Sequence, residues 1–274
     1  MEAMKHQNKT QEQEMLAVSF GTSYKENCRR TIGAIEGALK ESFPEWTLAR
    51  AFTSQRIINH IKKRDDVSID NMEEAFHRAK ENGVKRLIVQ PTLIMDGIEY
   101  QKVLTEAEKH RTDFHQLAIG KPLLSEEEDF HCLAGILTEE TKRYEDKNTA
   151  FCFMGHGTQA QANQVYERLQ KKLWEKGYAN YFIGTVEAEP DLPYLLEKVK
   201  AGSYARVVLM PLMIVAGDHA SNDMAGEKDS WKTEFESQGC EVTCLMRGLG
   251  ELPQIHQMFI NHVKEAMKIR NDTQ

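Results

Sequence analysis

The stretch RLIVQPTLIMDGIEY (residues 86–100) reads almost in step with RVVLMPLMIVAGDHA (206–220). Each opens with an arginine, runs through a short apolar segment to a proline, and carries a glycine in the same place, Gly97 and Gly217. A short apolar run closed by Pro and Gly reads as a buried strand, and its recurrence marks an internal repeat. Working outward, SFGT (19–22) aligns with GHGT (155–158), each between an apolar run and an amphipathic stretch. Phe52-Thr53 aligns with Gly184-Thr185.

The rest of the chain fits the same rhythm. Strand-like runs at 14–20, 47–52, 86–91 and 115–120 restart as 150–155, 181–185, 206–211 and 241–246. Helical segments lie between them, at 25–43, 54–64, 70–82, 100–110 and 125–144, then 160–176, 192–201, 224–238 and 252–269. Apolar strands alternating with helices predict an α/β fold with parallel sheets. The repeat divides it into two similar halves, each a four-stranded parallel sheet flanked by helices, related by a pseudo-twofold with a cleft between them. The expected divisions are a frayed tail over 1–13, an N-terminal α/β half over 14–148 and a C-terminal α/β half over 149–274 that carries the candidate metal site. They join at DKNTA (146–150).

Composition removes several function classes. With 35 basic and 42 acidic residues among 274, the net charge is −7, a poor balance for gripping nucleic acid. No run of about 18 apolar residues is present to span a membrane. The polar start MEAMKHQNKTQEQEM lacks the apolar core of a signal peptide, so a cytoplasmic protein is expected. Five cysteines, an odd number, argue against a disulfide framework. Cys240 and Cys244 lie in a strand-like run without a second pair, so buried structural thiols are expected. No G-x-G-x-x-G, Walker lysine motif or G-x-S-x-G elbow follows any strand, so no nucleotide cofactor is expected and an α/β-hydrolase is excluded.

Ligands of an open parallel sheet sit beyond the carboxyl ends of its strands. The residues there are Gly21, Thr22 and Ser23, then Asp96, Gly97 and Glu99, and in the second half His156, Thr158, Glu187, Asp218 and His219. Of ten histidines only His156 and His219 fall at strand ends. His6, His60, His77, His110, His115, His131, His256 and His262 lie in the tail or in helices and read as solvated or packed. Two imidazoles and a carboxylate converging on a cleft suit a divalent metal with positions left open for another ligand. In the repeat Phe20 stands where His156 stands and Glu99 where His219 stands. The cluster therefore belongs to the C-terminal half, and the N-terminal half offers one acid toward it.

Gly155-His156-Gly157-Thr158, Thr185-Val186-Glu187 and AGDHASNDMAG (216–226), with SFGTSY (19–24) and MDGIEY (95–100), resemble the anaerobic sirohydrochlorin cobaltochelatases, class II tetrapyrrole chelatases related in fold to ferrochelatase. The resemblance covers about residues 14–268. It implies two α/β halves around an active-site cleft and insertion of Co2+ into sirohydrochlorin, or its reduced precursor precorrin-2, in the anaerobic cobalamin pathway. By the same resemblance His156 is a metal ligand and proton acceptor, His219 the second metal histidine and Glu187 the metal carboxylate, with Glu189 two residues further on.

These residue types fit that chemistry. Insertion strips water from Co2+ and removes two pyrrole protons. Imidazole ligates first-row metals and accepts protons near neutrality, and a carboxylate offsets metal charge and relays protons. The macrocycle is polyanionic, so backbone amides at Gly21, Thr22 and Ser23 and at Gly157 and Thr158 are the expected donors to it, with help from Lys25, Arg29 and Arg30. The expected partners are thus a tetrapyrrole and a divalent metal, without nucleic acid or membrane; a homo-oligomer is compatible with the sequence. Two other readings fit the ligand types: a chelatase of the same fold for Fe2+ or Ni2+, and a protein that binds metal or tetrapyrrole without turnover.

Overall fold

The computed structural model describes residues 12–269. Of the expected tail over 1–13, residues 1–11, with His6, lie outside the described residues. Gln13, assigned to the tail by sequence, opens the first strand.

Two four-stranded sheets form, parallel throughout. The first holds β1 (Gln13–Ser19), β2 (Thr47–Phe52), β3 (Arg86–Pro91) and β4 (Gln116–Ile119) in the order β2-β1-β3-β4. The second holds β5 (Thr149–Gly155), β6 (Tyr181–Thr185), β7 (Arg206–Pro211) and β8 (Glu241–Cys244) in the order β6-β5-β7-β8. The repeat extends to register: Gln13 faces Arg86 and Val18 faces Pro91, just as Thr149 faces Arg206 and Met154 faces Pro211.

Both faces of each sheet are buried, as parallel sheets require. Successive side chains point to opposite faces, so Met15 and Ala17 enter one core and Leu16 and Val18 another. On the outer face of the first sheet, α4 (Met72–Glu81) supplies Ala75, Phe76 and Ala79, and α5 (Ile98–Lys109) supplies Val103 and Ala107. On the second, Leu195 and Val199 of α8 (Leu192–Ala201) and Trp231 and Phe235 of α9 (Trp231–Ser237) cover Cys152 and Met154.

The inner faces share a single core, and the closing helix of each half packs on the other half. α6 (Glu127–Thr141) ends the first half yet lies against α7 (Gln164–Glu175) of the second, and its Thr141 hydroxyl meets the Tyr181 hydroxyl at 2.8 Å. α10 (Pro253–Ala266) ends the second half yet packs on β3 and on α2 (Ile32–Ser42) of the first. Gln116 of β4 donates to the carbonyls of Met267 and Ile269 just beyond α10. The two helices meet where His262 Nε2 lies 3.0 Å from Asp129 Oδ1.

Two helix readings change. The expected helix over 25–43 is broken at Thr31 into α1 (Lys25–Arg30) and α2, because Thr31 leaves helical ψ and its hydroxyl bonds back to the Asn27 carbonyl. The expected helix over 224–238 is a π-helical turn, Ala220–Met224, followed only at Trp231 by α9. α3 (Gln55–Asp65) lies where expected.

Phe259 of α10 is fully buried in the shared core. Phe259→Ala should cost about 3–5 kcal/mol and lower the stability of both halves together, read as one shifted denaturant transition by fluorescence and far-UV circular dichroism. Two transitions of which only one moves would show that the halves do not share a core.

Candidate metal centre

β5 is the central strand of the second sheet, with β6 on one side and β7 on the other. The loops after all three leave the same edge. They carry His156, Glu187 and His219, whose ligand atoms all lie within 4.8 Å of one another. The imidazoles of His156 and His219 meet edge to face with centroids 4.8 Å apart, and His156 Nδ1 lies 3.7 Å from Glu187 Oε2.

Glycines shape the first loop. Gly155 ends β5 where an added Cβ would lie 2.3 Å from the Tyr166 ring, and Gly157 has φ +86° where a Cβ would press on Thr185 and the Ala188 nitrogen. The backbone therefore approaches β6 closely enough for the His156 carbonyl to accept from Val186 N–H at 3.2 Å and Glu187 N–H at 2.9 Å. These bonds set Glu187 beside His156. His156 Nδ1 is 3.0 Å from the Gly157 carbonyl; a carbonyl only accepts, so that contact suits a proton on Nδ1 and leaves Nε2 free to ligate.

His219 opens the π-turn. Ala220 and Met224 anchor that turn in the core, both fully buried, while His219 and Asp223 face outward with Nδ1 and Oδ2 at 2.7 Å. The half-exposed side chains of His156 (49%) and Glu187 (56%) and the less exposed His219 (30%) leave room for an incoming ligand. A metal bonded at about 2.0–2.2 Å needs its ligand atoms slightly closer than 4.8 Å, a difference that side-chain rotation covers.

The first half meets this edge through its opening loop. Gly21 has φ +100° with the Phe52 ring beneath it. Thr22 is buried, and its hydroxyl accepts Tyr24 N–H. Tyr24 donates its hydroxyl to Asp218 at 3.2 Å, and Asn27 donates to the Ala216 carbonyl at 2.6 Å, fastening α1 to the segment before His219. The Asp218 carboxylate beside it pushes the Tyr24 phenol above the usual tyrosine range. Between the halves a groove of about 740 Å3 runs past Phe52, Gly97 and Ile98 on one side and Ala160 and Ala162 on the other.

Other expected site residues stand as follows. Gly21, Thr22 and Ser23 have no partner for their N–H groups among the described residues. Gly157 N–H donates to the Tyr166 hydroxyl at 3.3 Å and Thr158 N–H to Asn163 Oδ1 at 3.0 Å, so both amides are already used inside the loop. Burial holds the Tyr166 phenol above its usual range, which keeps it protonated as that acceptor. Glu99 is not part of the three-residue group. Its Oε1 pairs with Lys102 at 2.6 Å, and its Oε2 is buried without a partner among the described residues. Glu189 lines a smaller pocket of about 470 Å3 beside Glu187 rather than joining the group. Lys25, Arg29 and Arg30 are paired with Asp65, Glu26 and Glu251. Asp223 was not among the expected residues; its signal in the sequence is the four-residue spacing from His219, which puts two side chains on one face of a helical turn.

Residues 13–268 match the sequence model of a family described as cobalt chelatase (CbiK). Sirohydrochlorin cobaltochelatase of Salmonella typhimurium is 36% identical over 256 residues, 93% of this chain and 96% of the relative. Sirohydrochlorin cobaltochelatase CbiKC of Nitratidesulfovibrio vulgaris is 28% identical over 264 residues, 94% and 92% of the two chains. Among solved structures, SirB from Bacillus subtilis with Fe3+ superposes with a TM-score of 0.64 at 14% identity, covering 93% of this chain and 95% of SirB. CbiX, described as the terminal enzyme for biosynthesis of siroheme in denitrifying bacteria, gives 0.55 at 15%, covering 93% and 99%. These two share the fold.

His156→Ala and His219→Ala should each fold normally, since both side chains are partly exposed at a strand end, yet lose Co2+ binding by isothermal titration. A variant that folds and still binds Co2+ as the unaltered protein does would make that histidine structural.

Proposed function

The chain belongs to the cobalt chelatase (CbiK) family, and from that premise we propose how its own residues perform the reaction. It is a sirohydrochlorin cobaltochelatase, a lyase that inserts Co2+ into sirohydrochlorin in cobalamin biosynthesis. The observation that carries the proposal for the site is the convergence of His156, Glu187 and His219 at one sheet edge, opening on the cleft.

Co2+ arrives hydrated and is itself the substrate. Two imidazole nitrogens and one carboxylate replace part of its water with ligands that suit first-row divalent ions. A single carboxylate offsets only half of the ion's charge, so the site holds the metal without competing with a macrocycle that becomes dianionic as its two pyrrole protons leave. Glu187, half-exposed, relays protons toward solvent. The free N–H groups of Gly21, Thr22 and Ser23 support a role in receiving the macrocycle's carboxylate arms. Gly157 and Thr158 shape the loop that aims His156, because their amides have partners already.

Glu99 enters the proposal as the acceptor of pyrrole protons from the N-terminal half. Its buried Oε2 has no donor among the described residues, so it is left as an open acceptor for an incoming N–H. All five cysteines are free, which supports the proposal of a reducing, cytoplasmic setting; only Cys152 is buried, and the other four, Cys240 and Cys244 among them, are partly exposed rather than buried as expected.

The exchange of one Co2+ for two protons balances charge and moves no electrons, so no reductant is needed, and the sequence offers no phosphate-cradling motif for a nucleotide. Dialysed protein with sirohydrochlorin and Co2+ alone should change the macrocycle's absorbance well beyond one equivalent of protein. Arrest at one equivalent would indicate a binding protein, and a strict ATP requirement would contradict the scheme. Glu99→Gln should slow metallation by about 10-fold or more while Co2+ affinity measured calorimetrically holds; unchanged turnover would remove Glu99 from the reaction.

A further inference from the structure

We propose that Asp223 is the positioning residue of the metal site: its carboxylate holds the Nδ1–H of His219 and thereby fixes Nε2 as the nitrogen offered to cobalt. The inference rests on the reading of His219 as a ligand and goes beyond it. An ionised carboxylate only accepts hydrogen bonds, so the 2.7 Å contact between Asp223 Oδ2 and His219 Nδ1 assigns the ring proton to Nδ1. Among the described residues His219 is the one ion-pair partner of Asp223. Asp223 is also absent from the group of mutually close ligand atoms, so it stands behind the imidazole rather than beside the metal.

The turn is built to hold this pair. Ala220 and Met224 are fully buried and pin the five-residue π-turn to the core. Gly226 closes it, with no room for a Cβ against the Asn222 carbonyl. His219 and Asp223, four apart, then project together from the outer side. Single π-turns of this kind recur at functional sites because they re-aim side chains that a regular helix would spread differently.

The two imidazoles are therefore unequal. His156 Nδ1 has the neutral Gly157 carbonyl at hydrogen-bond distance, 3.0 Å, and the Glu187 carboxylate only at 3.7 Å, whereas His219 Nδ1 has a carboxylate at 2.7 Å. A carboxylate behind a ligating imidazole fixes its tautomer and orientation and strengthens its donation to a metal, and losing such a partner typically costs about 10–100-fold in metal affinity or activity. His219 is on this account the anchoring ligand of the pair.

Co2+ titration by calorimetry and by the visible absorption of the bound ion tests the assignment, alongside steady-state metallation. Asp223→Ala should weaken Co2+ binding by about 10–100-fold, change the cobalt band, and lower kcat while leaving KM for sirohydrochlorin near its original value. Asp223→Asn should recover most of the affinity, because the amide oxygen still accepts the Nδ1–H. Wild-type affinity and spectrum in Asp223→Ala would make it a surface acid. Complete loss of binding without rescue by asparagine would make it a ligand. Either result overturns the proposal. His219→Ala, measured in parallel, separates the two levels: if that variant binds Co2+ normally the site itself is misread, and if it loses binding while Asp223→Ala does not, only the role of Asp223 falls.

Discussion

Parallel pairing of β5 with both β6 and β7 is the constraint on which the site depends. Because all three strands run the same way, the residues following them leave the sheet at one edge, and the register that sets Gly155 opposite Thr185 and Met154 opposite Pro211 decides how far each loop reaches. His156 lies one residue past its strand and Glu187 two past its own. Bonds from Val186 and Glu187 N–H to the His156 carbonyl lock these two loops together. His219 lies farther from β7, and the buried Ala220 and Met224 bring it back to the edge. A shift of one residue in either pairing would send these side chains to different places.

The shared core turns two repeats into one machine. With α6 seated on the second half and α10 on the first, the inner faces of both sheets belong to one apolar cluster that includes Met15, Ile88, Phe153, Leu137 and Phe259. The carboxyl edges of the sheets are thus held face to face across the groove. The contacts of Tyr24 with Asp218 and of Asn27 with Ala216 add a second tie next to the candidate metal site. The halves differ at the repeat-related positions: the second carries His156 and His219, while the first carries Phe20, exposed and apolar, and Glu99.

Much of this was legible in the sequence because the repeat doubles the signal. β2, β3, β6, β7 and α8 fall on their expected residues, and the register shared by the halves follows the alignment of Arg86 with Arg206. His156 and His219 stood out because glycines flank or precede them at strand ends. What was not legible depends on tertiary contacts. The crossing of α6 and α10 leaves no local pattern, since an amphipathic helix shows that it has a buried face but not which sheet covers it. The π-turn at Ala220–Met224 is hidden because Ser221, Asn222 and Asp223 are weak helix formers that compete for the backbone. The internal partners of the Gly157 and Thr158 amides arise from Tyr166 and Asn163, which no motif ties to them.

On the proposed reading, one cobalt ion is held by His156, Glu187 and His219 at the edge of the second sheet. Anomalous diffraction at the cobalt edge, from crystals equilibrated with Co2+, tests it most directly. A single strong peak is expected at bonding distance from a ring nitrogen of each histidine and a carboxylate oxygen of Glu187, about 2.0–2.2 Å from each. A cobalt peak elsewhere, with these three side chains uncoordinated, would contradict it.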